Sequence, residues 1–123
     1  MLEANKIREF VNQKQYRELI VYLKENIDME NAEHLSYLAD AYRCNNDRKN
    51  AIHYFELAAM KGDAFSMGYL AQVYYIDLKQ DELAYNWALK GAELNNLQSW
   101  YILGEYAKTT KTMKMPLFAS LEA

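Results

Sequence analysis

The chain is short of the residues that punctuate and cross-link small folds. Cys44 is the only cysteine in 123 residues, which excludes an internal disulfide and any zinc site built on several cysteines. One proline and four glycines stand against average usages of roughly 5% and 7%. A β-sandwich or barrel of this length spends Gly and Pro on a turn every ten residues or so, so the shortage points away from β and toward helix. No apolar run approaches the roughly 18 residues that suggest a membrane span. Glu3, Lys6, Arg8 and Glu9 charge the first ten positions, unlike a secretory leader. A net charge of −3 gives no basic excess for nucleic acid. What remains is 51% apolar and 25% charged, the make-up of a globular domain with its own core.

An internal repeat organises that composition. Tyr37-Leu38-Ala39-Asp40-Ala41-Tyr42 recurs 32 residues on as Tyr69-Leu70-Ala71-Gln72-Val73-Tyr74, and 32 further as Tyr101-Ile102-Leu103-Gly104-Glu105-Tyr106 in looser form. The Asn or Asp that opens each stretch recurs at 32 and then 33 residues: Asn31, Asp63, Asn96. A second motif alternates with the first. Ala51, Tyr54, Phe55, Ala58 and Ala59 return 33 residues later as Ala84, Trp87, Ala88, Gly91 and Ala92. The spacings of three and four put each set on one helical face. Asn, Asp and Gly between the motifs suit helix caps. The pattern predicts helices over 2–12, 15–28, 32–44, 48–61, 64–76, 81–94 and 97–109. The expected architecture is all-α: an α-solenoid of about three helical hairpins plus a closing helix, over residues 1–110. Residues 111–123 form a separate cap or tail, in which Pro116 opens a turn carrying Leu117, Phe118 and Leu121.

Catalytic patterns are sparse. His34 and His53 are the only histidines. His53 and Glu56 lie three apart, but a metal needs a second such pair, so no metal is expected. Cys44 has no basic pair beside it to activate a thiolate. There is no glycine-rich phosphate loop and no nucleophile elbow, hence no cofactor and no enzyme expected.

The residues Ala58-Ala59-Met60-Lys61-Gly62-Asp63-Ala64, followed by Leu70-Ala71 and Tyr74, resemble a junction of the Sel1-like branch of the tetratricopeptide repeat superfamily. Leu103-Gly104 matches its Leu-Gly pair, and Asp81, Ala84, Trp87 and Ala92 match its second helix. The resemblance spans about residues 15–109. It implies small residues at helix crossings (Ala39, Ala71, Gly104, Ala51, Ala58, Ala84, Gly91), with Tyr42, Tyr54, Phe55, Tyr74, Trp87 and Trp100 filling the space between pairs. It also implies that first helices present a binding face in rows: Glu33, Phe65 and Gln98; Ser36, Gly68 and Tyr101; Asp40, Gln72 and Glu105; then Arg43, Tyr75 and Lys108. Phe65, Tyr75 and Tyr101 stand out there as exposed aromatics, the residues that anchor interfaces. The implied function is to bind one protein partner. The most specific expectation is a cytoplasmic bacterial immunity protein that neutralises a cognate toxin, with no membrane or nucleic-acid role. The alternative is an adaptor or chaperone-like scaffold that takes peptide segments of several partners.

Overall fold

The structure, a computed structural model, describes residues 2–109. The tail expected over 111–123 lies outside the described residues. Among those described, the fold is all-α: α1 (Ala4–Asn12), α2 (Tyr16–Asn26), α3 (Ala32–Cys44), α4 (Arg48–Met60), α5 (Ala64–Gln72), a π-helical segment (Val73–Asp77), α6 (Asp81–Glu93) and α7 (Leu97–Thr109). The chain divides into two compact units, residues 1–66 and 67–123. In the first, α1 packs on α2, α2 on α3 and α3 on α4; in the second, α6 packs on the π-segment and on α7. No helix here is long and apolar enough to cross a membrane.

The caps follow from the polar links. Asn31 accepts a hydrogen bond from the His34 amide at 3.0 Å, and Asp47 one from Asn50 at 3.2 Å. Asp63 accepts from both the amide and the hydroxyl of Ser66, at 2.9 and 2.6 Å; Asn96 does the same for Ser99, at 2.8 and 2.9 Å. These bonds satisfy amides that have no partner inside the helix. They also explain how Ser66 and Ser99 are fully buried: each hydroxyl is spent on its own cap. The Asp47 carboxyl is held below its ordinary value by its hydrogen bonds to the Asn50 side chain and amide. A carboxyl with a lowered folded-state pKa adds stability above its unfolded value, and that contribution disappears as pH falls through the folded value. Acidification below about pH 4 is therefore expected to destabilise the protein through this cap. Asp47→Asn keeps the cap and removes the proton site, so its melting temperature should fall less than the parent's between pH 5 and pH 2. Equal acid sensitivity would show that other carboxylates set the dependence.

Each turn between helices places one residue at positive φ: Lys14, Asn46, Gly62, Lys79 and Asn95. Only one of the five is glycine, which is how so glycine-poor a chain closes its hairpins. Left-handed backbone costs an ordinary residue about 1–2 kcal/mol, whereas glycine adopts it freely at an entropic cost of about 0.5–1 kcal/mol. Lys79→Gly should accordingly stabilise the protein by about 0.5–1 kcal/mol, read as a melting temperature raised by a few degrees. A lowered melting temperature would show that the Lys79 side chain contributes contacts worth more than the strain.

The π-segment accounts for an oddity of the repeat. From cap to cap the α3 stretch runs Asn31 to Asp47, while its counterpart runs Asp63 to Gln80, one residue longer. The surplus residue is taken up by widening the last turn. Leu78 donates its amide to Val73, five residues back, at 3.0 Å. The next closing bond spans six residues, Gln80 to Tyr74 at 2.7 Å, where the first repeat spans five, Asp47 to Tyr42 at 2.9 Å. Single-turn π-bulges are the usual form of such an insertion. The periodicity predicts a plain α-helix over 64–76; it ends instead at Gln72.

The core repeats the register of the sequence. Leu23, Phe55 and Ala88 occupy the same position of successive second helices and are all buried. In the first unit Leu35, Leu38, Ala39, Ala51, Phe55 and Ala58 are essentially inaccessible. In the second, Ala71, Ala88 and Ile102 form a buried centre against which Tyr75, Trp87 and Leu103 pack. Two members of the expected core are elsewhere. Trp100 is 55% exposed, and a Cβ built on Gly104 meets nothing within 4 Å, so neither lies at a crossing. In α3 the equivalent residues, Leu35 and Ala39, are buried. Among the described residues no helix follows α7 as α4 follows α3.

Candidate functional site

The residues expected to bind a partner fall into two groups, one on each unit. In the first, Glu33, Asp40 and Arg43 lie along α3. Glu33 accepts a hydrogen bond from the Tyr37 hydroxyl, which raises that phenol's pKa, with burial and the carboxylate charge adding to it. Asp40 accepts from Arg43 Nε at 2.7 Å in a half-exposed pair. Such a pair is worth little stability, up to about 1 kcal/mol, and its charges remain available to a ligand. Phe65 is 58% exposed, its ring centroid 6.1 Å from the buried Phe55.

Ser36 departs from expectation. It is buried, and its hydroxyl donates to the Glu33 carbonyl at 2.8 Å, so it offers a partner nothing. Gly68, in the same expected row, is also buried: a Cβ there would lie 2.3 Å from Asn96 Oδ1. The Asn96 side chain that caps α7 occupies the space. Of that row only Tyr101 reaches the surface.

In the second unit the expected residues converge better. Tyr101, Glu105 and Lys108 share one face of α7. The Tyr101 hydroxyl is hydrogen-bonded to the Glu105 carboxylate, which raises its pKa, and Lys108 Nζ lies 3.8 Å from the same carboxylate. Tyr75 is half-buried rather than exposed; its hydroxyl donates to the Glu105 carbonyl at 3.1 Å and ties the π-segment to α7. Gln72 is exposed and Gln98 half-buried. The expected residues leave out two exposed apolar neighbours on α7, Leu97 at 83% and Trp100 at 55%. Both belong to its apolar stripe and look like core in the repeat register, so only the lack of a covering helix reveals them.

A cleft of about 490 Å³ also opens in the first unit. Leu2, Ile7, Arg8 and Val11 line it from α1 and the residues before it, Leu19 and Leu23 from α2, and Glu33, His34, Tyr37, Asp40, Ala41 and Cys44 from α3. Cys44 sits at its half-buried edge; burial and then the Asp40 charge raise its thiol pKa, against the lowering influence of Arg43. Sequence reasoning reached two of these residues, Glu33 and Asp40, and missed the rest. The available signal was α1 itself, whose Ile7 and Val11 share a face one turn apart. Among the described residues no three His, Cys, Asp or Glu side chains are grouped to hold a metal.

No protein-family model and no curated protein matches the chain.

Proposed function

We propose that the chain is a protein-interaction module of Sel1-like, tetratricopeptide-like helical hairpins whose first helices bind one protein partner. The observation that carries this reading is the face of α7: Leu97, Trp100 and Tyr101 exposed together on one regular helix, with Tyr101 oriented by Glu105. Isolated exposed apolar residues are ordinary, whereas large aromatics grouped on a rigid element are characteristic of interaction sites. Phe65 gives the first unit an exposed aromatic of the same kind. The most specific form of the reading is a bacterial immunity protein that occludes a toxin domain in the cytoplasm, acting as a binder and not an enzyme. The cleft of the first unit favours a second form, an adaptor that receives a segment of its partner.

Affinity purification from the native host, with mass spectrometry, identifies the partner; calorimetry with the purified partner then tests the site. Tyr101→Ala and Phe65→Ala are each expected to weaken binding by at least about 1 kcal/mol, roughly fivefold, while changing the melting temperature little. Unchanged affinity with reduced stability would return both residues to a packing role. The immunity form further expects the partner to be toxic when expressed alone and harmless when co-expressed with this chain. A harmless partner, or several unrelated ones, would favour the adaptor.

A further inference from the structure

The cleft of the first unit has a floor and two unlike walls. Its floor is the apolar stripe Leu19 and Leu23, both buried. On one side stands α1, which has no buried residue although its apolar residues are gathered on one face. Val11 is 42% exposed beside the cleft, and α1 packs on α2 rather than on α3. On the other side α3 presents Glu33 and Asp40, seven residues apart. That is two helical turns, an axial rise of about 10 Å. Arg8 stands on the α1 wall opposite.

We propose that this cleft receives one amphipathic α-helix of a protein partner, its basic flank against Glu33 and Asp40 and its acidic flank toward Arg8. This deepens the partner-binding reading above and rests on it. Each element of the match is physical. An apolar helix face laid on Leu19, Leu23 and Val11 removes from water the stripe that α1 leaves uncovered. Two cations two turns apart on the incoming helix meet two carboxylates two turns apart on α3. Opposite charges on the two walls fix the direction in which the helix lies, since reversing it sets like charges against each other.

The probe is a synthetic 18-residue helix with leucines on one face, lysines at positions i and i+7 on one flank and glutamates on the other. Its control has the same composition with the flanks exchanged. The expected result is binding of the first peptide with amide shifts confined to α1, α2 and α3, and slower reaction of Cys44 with a thiol reagent. The exchanged peptide should bind at least fivefold more weakly. Glu33→Gln with Asp40→Asn should abolish that difference, and Val11→Glu should weaken both peptides. Equal affinity for the two peptides, shifts outside these helices, or no binding overturns the proposal. Binding of small indole fragments without peptide binding also overturns it and gives the cleft to a small apolar ligand. If the purified partner binds through Tyr101 and Phe65 while both peptides fail, only the cleft proposal falls. If the first peptide binds as expected while no partner is found, only the wider reading falls.

Discussion

Phe55→Ala is expected to cost about 3–5 kcal/mol of stability, the usual loss for a fully buried aromatic. Phe55 is wholly inaccessible and is the largest such side chain in the described residues. It lies in the second-helix position that Leu23 and Ala88 fill in the neighbouring repeats, enclosed by the α3–α4 pair. Removing the ring forfeits its transfer free energy and leaves a cavity that two regular helices cannot collapse to fill. A native stability of 5–15 kcal/mol is typical of a domain, so the variant is close to unfolding at 37 °C. Urea titration should show the midpoint falling sharply. Phe55→Leu, which restores the residue type found at Leu23, should recover a large part of the loss. A change below about 1 kcal/mol for the alanine variant would place Phe55 outside the core.

The second large effect has a paired control of opposite sign. Gly91→Ala places a Cβ 1.9 Å from Ser99 Oγ, 2.9 Å from Ser99 Cβ and 3.4 Å from Met67 Cβ. Alanine is the better helix former by about 1 kcal/mol, but the clash is with a short, buried side chain locked onto Asn96. Relief requires α6 and α7 to move apart, so a net loss of about 1–3 kcal/mol is expected. Gly104→Ala meets nothing within 4 Å and should instead stabilise, by about 0.5–1 kcal/mol. Adding Ser99→Gly to Gly91→Ala should restore part of the loss, because it removes both clashing atoms. Measured by thermal melts, the two alanine substitutions should shift in opposite directions. A shared direction would show that helix propensity, not helix approach, governs both glycines.

These two glycines also show what the sequence can and cannot carry. Gly91 and Gly104 fall at repeat positions that call for a small residue, and the register alone predicts a helix crossing at each. Whether a crossing exists depends on the next helix, and α6 has α7 beside it while α7 has no successor among the described residues. Trp100 is misplaced for the same reason: an apolar stripe states that a face wants cover, not that it has any. Ser36 and Gly68 fail differently. Their exposure is decided by a back-bonded hydroxyl and by the Asn96 cap, local details that a repeat register averages away. The fold class and the helix pairs were legible because many positions recur in phase. The extra residue of the second repeat was visible as an offset of 33 against 32, but its place, the π-segment after Gln72, was not. The cleft escaped notice because α1 precedes the recurring motifs, so nothing in the register marks its apolar face as uncovered.

The central claim is that the first helices carry the partner surface while the second helices carry the core. Hydrogen exchange on the complex with the purified partner tests it most directly, since a bound face slows exchange where it is covered. The account predicts new protection in α3 and α7, centred on Glu33 to Arg43 and on Leu97 to Lys108, with α4 and α6 unchanged. New protection confined to α4 and α6, with the faces of α3 and α7 unaffected, would contradict it.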